Sequence, residues 1–267
     1  METDINFNRI QSLWIGGQLS NVERLCIQSF LDHGHDFHLY TYEEINNVPK
    51  GTIIHNAADV VSESEIFRYK EGWFKGSVSG FADIFRILLI KKKGGWWVDM
   101  DIVCLKKFDF EANTVFCSSY EGEYGSLTNN CAFKVPQDSD FLSYCINQIE
   151  SLDIKTMSFG LAGPFLFQKA VKELQLENMV VPFDYFNPIT WRNVGELILG
   201  ETSTVNRLKE LVRPIIKPGT MIGRRINSES YTVHFWNEVW RNNNFDKDGK
   251  YNSGSLFEQL KSKHHIQ

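Results

Sequence analysis

Long apolar runs are missing from this 267-residue chain. No stretch approaches the roughly 20 residues of a membrane span, and the first thirty residues lack a signal-peptide layout. An excess of positive charge is missing too. The net charge is −5, which argues against a nucleic-acid partner. Cysteines are few and irregularly spaced, five with no C-x-x-C pair. Cys26, Cys104, Cys117, Cys131 and Cys145 therefore read as buried or free thiols in a reducing compartment, neither a disulfide framework nor a zinc site. No Asn-x-Ser/Thr sequon occurs. A cytoplasmic location is the expectation. Internal repeats and low-complexity segments are also absent, while 42% hydrophobic and 13% aromatic residues support a sizeable core and exclude disorder.

The chain is organised around Val78–Leu105. Phe81, Ile84, Phe85, Leu88 and Leu89 recur at spacings of three and four, which predicts a helix with one apolar stripe. Asp83 and Arg86 stand three apart and project from it as neighbours. Lys91, Lys92 and Lys93 fill the last turn, and Gly94-Gly95 stops the helix. Trp96-Trp97-Val98 then reads as a short buried strand delivering Asp99-Met100-Asp101 to its end. Alternation puts Asp99 and Asp101 on one side and Met100 on the other. Two carboxylates so placed suit a hard divalent cation, Mn²⁺ or Mg²⁺, shared with the oxygens of a diphosphate. Taken alone, an Asp-x-Asp is more often a solvated turn.

Elsewhere, Ile10–Gly16 reads as a first strand running into a tight turn at Gly16-Gly17, a place where α/β domains bind ligands. Trp14 at its end is a core residue on the ordinary reading. Ser20–Asp32 is an amphipathic helix and Phe37–Thr41 a second strand, while Glu43–Val48 and Ile53–Tyr69 are helices or loops with acidic faces. Thr114–Tyr120 and Leu127–Val135 are strands, the latter opening on Asn129 and Asn130. Asp138–Glu150 and Phe165–Leu174 are helices. The turn at Gly163-Pro164 offers helix N-terminal N–H groups to an anionic or hydroxylated ligand. Val180–Thr190 is a strand followed by a loop carrying Asp184, and Asn206–Ile216 is helical. Tyr231–Phe235 is a strand on which His234, taken alone, is a core histidine. Asn244–Ser255 mimics a calcium loop but lacks the bidentate Glu, so it reads as a polar turn.

Asp83-x-x-Arg86 followed by Gly94-Gly95-Trp96-Trp97-Val98-Asp99-Met100-Asp101 resembles the D-x-x-R…GG-x-Y-x-D-x-D pattern of DXD-containing retaining glycosyltransferases. That group includes the yeast-type initiating mannosyltransferase, bacterial capsule and O-antigen sugar transferases, and the glucosylating domain of large clostridial toxins. Trp97 stands where the pattern has Tyr, so the aromatic face is kept and the hydroxyl lost. The resemblance extends to Trp-Ile-Gly-Gly at Trp14, to the Gly163-Pro164 turn (with Ala162 in place of Thr), and to Tyr231–Trp240.

The resemblance implies an α/β fold, a GT-A-like (Rossmann-like) mixed central sheet flanked by helices. It would form a single domain over residues 1–267. Residues 1–105 would be the nucleotide-sugar half, and 106–267 the acceptor half with a closing segment at 231–240. By resemblance Asp83, Arg86, Asp99 and Asp101 are catalytic, and Asp99, Asp101 and His234 hold Mn²⁺ or Mg²⁺. Trp14, Ile15, Gly16, Ala82, Asp83, Arg86, Trp97 and Asp99 bind the donor, with Asn129 or Asn130, Asn237 and Trp240. In this reading Trp14 stacks on the base, and the indole N–H of Trp240 donates to a diphosphate oxygen. Gly163, Pro164 and Asp184 face the acceptor.

The implied reaction moves a sugar with retention from a UDP-sugar, or less favourably GDP-mannose, to a saccharide or lipid-linked saccharide. The setting would be bacterial surface-polysaccharide synthesis at the inner membrane face, with peripheral membrane contact. A nucleotide-sugar hydrolase, a protein-glycosylating effector and a non-catalytic sugar-nucleotide module are the competing readings.

Overall fold

The structure is a computed structural model that describes residues 9–154, 157–201 and 204–267. In chain order its elements are β1 (Ile10–Trp14), α1 (Asn21–Asp32), β2 (Phe37–Thr41), β3 (Ile53–Asn56), α2 (Ser79–Lys93), β4 (Trp96–Val98), β5 (Ile102–Cys104) and β6 (Val115–Tyr120). There follow β7 (Ser126–Lys134), α3 (Asp140–Glu150), α4 (Pro164–Glu173), α5 (Phe183–Phe186), α6 (Thr204–Ile216), β8 (Thr232–His234), α7 (Asn237–Asn243) and α8 (Leu256–Lys263). Among the described residues no helix is long and apolar enough to cross a membrane.

A six-stranded sheet runs in the order β3-β2-β1-β4-β7-β6, and β5 pairs with β8 in a small second sheet. β3, β2, β1 and β4 are mutually parallel, and β7 alone runs against its neighbours. This is the mixed, helix-flanked α/β sheet expected from the sequence. Strand parity sorts the core. Trp97 packs with α2, α3 and α4 on one face, while Trp96 and Val98 pack with Cys26, Ile27 and Phe30 of α1 on the other.

α1 and α2 form where helices were expected, and local contacts fix their ends. Ser20 caps α1, its hydroxyl accepting from Val22 N–H while Glu23 reaches back to the Ser20 backbone, a capping box. α2 ends at Gly94 and Gly95, whose φ values of 65° and 85° lie in the left-handed region. Two assignments change. Ile53–Asn56, expected as helix or loop, is an edge strand parallel to β2; four residues with a mostly exposed pattern are too short to show a period. Val180–Thr190, expected to open as a strand, makes only a single bridge to Phe116 and then turns into α5. Pro182 lacks the N–H a strand ladder needs.

Candidate donor and metal site

β1 and β4 lie parallel, with Gln11 opposite Trp97, so Trp14 and the residues after Val98 emerge at the same edge of the sheet. That edge is the crevice at the carboxyl ends of the strands. Asp99 and Asp101 sit in the tight turn joining β4 to β5, where Ile102 N–H donates back to Asp99 O at 3.2 Å. They lie just beyond the strand, and Met100 between them is buried in the core.

Arg86 ties the first half of the cluster together. Its Nη2 lies 3.1 Å from Asp83 Oδ1 and its Nη1 3.1 Å from Asp99 Oδ1. Nη1 also donates to Asn130 O at 2.7 Å and Nε to Ala82 O at 3.1 Å. The guanidinium lies 4.9 Å from the Trp97 ring centroid. Trp97 Nε1 donates to Asp99 Oδ1 at 2.8 Å, so the indole supplies a hydrogen bond where the Tyr hydroxyl is missing. Asn130 Nδ2 donates to Asp83 Oδ1 at 2.7 Å. Asn129, one residue away and on the other side of β7, turns to Ser119 Oγ. Strand parity thus selects Asn130 for the cluster.

The second half comes from the far end of the chain. Ile102 and His234 are partners in the β5–β8 ladder, which sets the histidine beside Asp101. His234 Nε2 lies 3.2 Å from Asp101 Oδ1, and Asn237 N–H donates to Asp101 Oδ2 at 2.5 Å. Asp99, Asp101 and His234 offer ligand atoms that all lie within 4.8 Å of one another. Two carboxylates and an imidazole, converging and largely buried, fit a divalent cation of the Mn²⁺ or Mg²⁺ kind.

Charge follows from burial and pairing. Burial lifts the Asp83 carboxyl to about 6, against the pull of Arg86 and the Asn130 hydrogen bond. Burial also raises Asp99, with Arg86 opposing. Burial would raise Asp101 as well, but His234 and the Asn237 N–H outweigh it and hold that carboxyl low. His234 answers in kind: burial disfavours its charge, yet Asp101 raises it well above the usual value.

Several contributors escaped the sequence reading. Asn187, fully buried, donates from Nδ2 to Ser118 O at 2.8 Å, and its Oδ1 lies 2.9 Å from His234 Nδ1. With the amide so oriented, Nδ1–H donates to Asn187 Oδ1 and Nε2 faces Asp101. Trp236 stacks on His234 at 4.0 Å between ring centroids and holds φ at 57°, a conformation an aromatic residue rarely adopts. Lys247 pairs with the buried Glu23 at 2.7 Å and lies 5.9 Å from the Trp14 ring. No local pattern marks Asn187 or Lys247, and Trp236 stands in the spacing His234-x-Trp236 of the closing segment; all three follow a course that depends on distant partners.

Trp14 is half-buried, its Nε1 donating to Gly17 O at 3.0 Å. Ile15 and Gly16 follow it at the same edge, also half-buried. Gly163 caps α4 against the cluster: a Cβ there would lie 2.3 Å from Asp83 Oδ2, so only glycine fits, and Pro164 begins the helix behind it. One expectation is corrected. Trp240 is fully buried among Phe235, Phe245 and Phe257, with its N–H donating to Phe235 O at 2.7 Å, so it has no N–H to offer a phosphate. Asp184, half-buried, accepts from Asn227 Nδ2 at 2.8 Å, while Asn187 of the same segment reaches His234.

Residues 20–120 match the family model of the glycosyltransferase sugar-binding region containing a DXD motif. The match includes Asp83, Arg86, Asp99 and Asp101 and bears out the resemblance read from them. It covers less than half of the chain; Trp14, Asn130, Gly163, Asn187 and His234 lie outside it. No curated protein matches the sequence. Solved structures similar to this chain include the PaToxG glycosyltransferase, with 14% identity over 89% of this chain and 85% of that one at a TM-score of 0.47. Another is the ligand-free glycosyltransferase domain from the YGT toxin, with 8% identity over 96% and 99% at a TM-score of 0.45. A third is the catalytic domain of alpha-toxin from Clostridium novyi, with 10% identity over 98% and 81% at a TM-score of 0.35.

The amide of Asn187 invites a direct test. Asn187→Ala should weaken Mn²⁺ binding by about 10–100-fold, because His234 loses the partner that selects its tautomer. Asn187→Asp, which keeps an acceptor at the same place, should restore most of that affinity. Calorimetric Mn²⁺ titration of the two variants reads this without any turnover. Equal affinity in Asn187→Ala and the parent would leave the amide a purely structural role.

Proposed function

We propose that the protein is a metal-dependent retaining glycosyltransferase that moves a sugar from a nucleotide-sugar, a UDP-sugar in preference to GDP-mannose, to a saccharide acceptor. One observation carries the reading: Asp99, Asp101 and His234 converge within 4.8 Å beside the Asp83–Arg86–Asn130 assembly. A sugar-binding module without chemistry has no need of both halves.

Asp99, Asp101 and His234 would hold Mn²⁺ or Mg²⁺, which when bound supplies Lewis-acid charge to the leaving diphosphate. Asp83 would accept from sugar hydroxyls, with Arg86 and Asn130 fixing its carboxylate. The exposed part of the Trp14 ring would stack on the base, and Lys247 beside it would meet phosphate charge. Ile15, Gly16 and Ala82 would line the donor cleft, and Asn237 would hold Asp101 through its backbone N–H. Gly163 and Pro164 would bound the sugar on the acceptor side. Asp83 is clamped by Arg86 and Asn130, and the other two carboxylates belong to the ligand set. None of them is left to form a glycosyl-enzyme bond, so retention, taken from the glycosyltransferases the sequence resembles, would proceed by front-face attack and give an α-linked product from an α-configured donor.

The pH profile should carry the mark of Asp83. As an acceptor it must be ionised, so kcat/KM should fall as pH drops through about 6. Stability runs the other way. A carboxyl whose folded pKa is raised contributes stability fully present below its ordinary value and lost as pH rises through about 6. Activity and melting temperature should therefore move oppositely across this window. In Asp83→Asn, which should keep only residual activity, the acidic limb of the rate should vanish; an unchanged limb would assign it to another group.

Titration calorimetry with UDP, GDP and their common sugars, in Mn²⁺ and then in chelator, tests the donor assignment. Metal-dependent binding of one nucleotide family supports it, whereas no binding of any would reduce Asp99-Met100-Asp101 to a structural turn. Transfer of the sugar to an added saccharide, against release to water, separates transferase from hydrolase.

A further inference from the structure

α6 is mounted inside out. Leu208, Leu211, Val212 and Ile215 fall at spacings of three and four and form one stripe, with Ile216 beside it. All five are exposed, Leu211 by 74% and Ile215 by 83%. The helix is held to the body by its polar side instead. Glu210 pairs with Arg224 at 2.9 Å and with Arg213 at 2.5 Å, and Arg224 goes on to Glu196 at 2.7 Å and Asn193 Oδ1 at 2.5 Å. A helix that serves only its own core would turn this stripe inward.

The charge around the stripe identifies its partner. Residues 204–225 contain six Lys and Arg against one Glu, a local excess of +5 in a chain whose total is −5. Lys209 and Arg225 are exposed beside the stripe, as is Ile222. An apolar stripe flanked by basic side chains matches the boundary of an anionic bilayer: acyl chains take the apolar residues while Lys and Arg reach the headgroups. A second copy of the same face would bring its cations together, which disfavours self-association.

We infer that α6 is a peripheral membrane anchor that lies in the interface of an anionic lipid bilayer. The anchor is tied to the site through the body: Arg224 bridges to Ile189, whose carbonyl accepts from Trp236 Nε1 at 3.0 Å, and Trp236 stacks on His234. A surface-bound chain would thus present the site near the bilayer, where a lipid-linked acceptor resides. The anchoring itself does not depend on the transferase reading.

Flotation of the full chain with vesicles of phosphatidylcholine, and of phosphatidylcholine mixed with phosphatidylglycerol, tests the inference. The parent should float only with the mixed vesicles, and less so as salt rises. The double variant Leu211→Glu/Ile215→Glu should bind about tenfold or more weakly, and Lys209→Glu/Arg225→Glu should bind less and with weaker salt dependence. Both pairs are exposed, so melting temperature and calorimetric nucleotide binding should match the parent in each variant. A parent that ignores mixed vesicles, binds neutral ones equally, or binds unchanged in the Leu211/Ile215 variant overturns the anchor. So does light scattering that finds a dimer which the same variant dissociates, since the stripe would then be a self-association face. Nucleotide binding read alongside shows whether the donor site stands when the anchor fails.

Discussion

Asp101→Asn should abolish metal-dependent turnover, by roughly a thousandfold or more, while leaving the fold in place. Asp101 is buried, with one oxygen 3.2 Å from His234 Nε2 and the other receiving Asn237 N–H at 2.5 Å. The amide keeps the shape and an oxygen for one of these contacts but removes the charge, and a neutral oxygen is a poor ligand for a hard cation. Mn²⁺ affinity should therefore fall together with the rate. Asp101→Ala should go further, because it also leaves His234 Nε2 and the Asn237 N–H without a partner in the interior. That costs about 1–3 kcal/mol for the lost hydrogen bonds, so its melting temperature should drop where that of Asp101→Asn holds. Comparing calorimetric Mn²⁺ titrations, steady-state rates and melts across the two variants separates chemistry from folding. If Asp101→Asn kept a tenth of the parent's activity, the ligand assignment would be wrong.

Arg86→Ala should be the most destabilising single change in the site. The guanidinium is the shared partner of Asp83 and Asp99 and the donor to two carbonyls, those of Ala82 and Asn130. Without it, two neighbouring carboxylates face each other inside the protein. Breaking a buried pair costs about 3–5 kcal/mol, and the partial exposure of Asp99 argues for the lower end. Melting temperature should fall by about 10 °C for a chain of this size. Arg86→Lys isolates the geometry: one ammonium keeps the charge but cannot span both carboxylates and both carbonyls. The Lys variant should fold nearly as well as the parent yet lose about a hundredfold in kcat, since the donor-facing carboxylates are no longer held. A melt of Arg86→Ala that coincides with the parent's would show that the Arg86 contacts contribute little, and a fully active Arg86→Lys would show that the fork is dispensable.

Periodicity placed Asp83 and Arg86 on one helix face because a helix's geometry repeats locally, and Gly94-Gly95 ended that helix because few other residues enter the left-handed region. The same logic failed at Ile53–Asn56, where four residues are too few for a period. The role that resemblance implied for Trp240 failed for a different reason. Tyr231–Phe235 alternates as a strand, but Trp236 then adopts a left-handed backbone that breaks the alternation. The indole beside His234 is consequently Trp236, and Trp240 turns into the core on α7. Between Asn129 and Asn130 the sequence offers no preference; the parity of β7 against α2 makes the choice.

The sequence by itself determined the carboxylate pair, the Asp–Arg neighbours and the strand that carries them, since each rests on contacts within a few residues. Resemblance named His234 as their partner, but only the tertiary structure brought it beside them, and it alone decided that Asn187 orients it and that Lys247 and Trp14 meet at the same edge. Those meetings depend on the β5–β8 ladder and on turns with positive φ, which fold against partners far along the chain. α6 divides the same way. Its stripe is written in the spacing of its leucines and isoleucines, but which way the stripe faces was settled by Glu210 and Arg224, an ion pair that only the folded chain brings together.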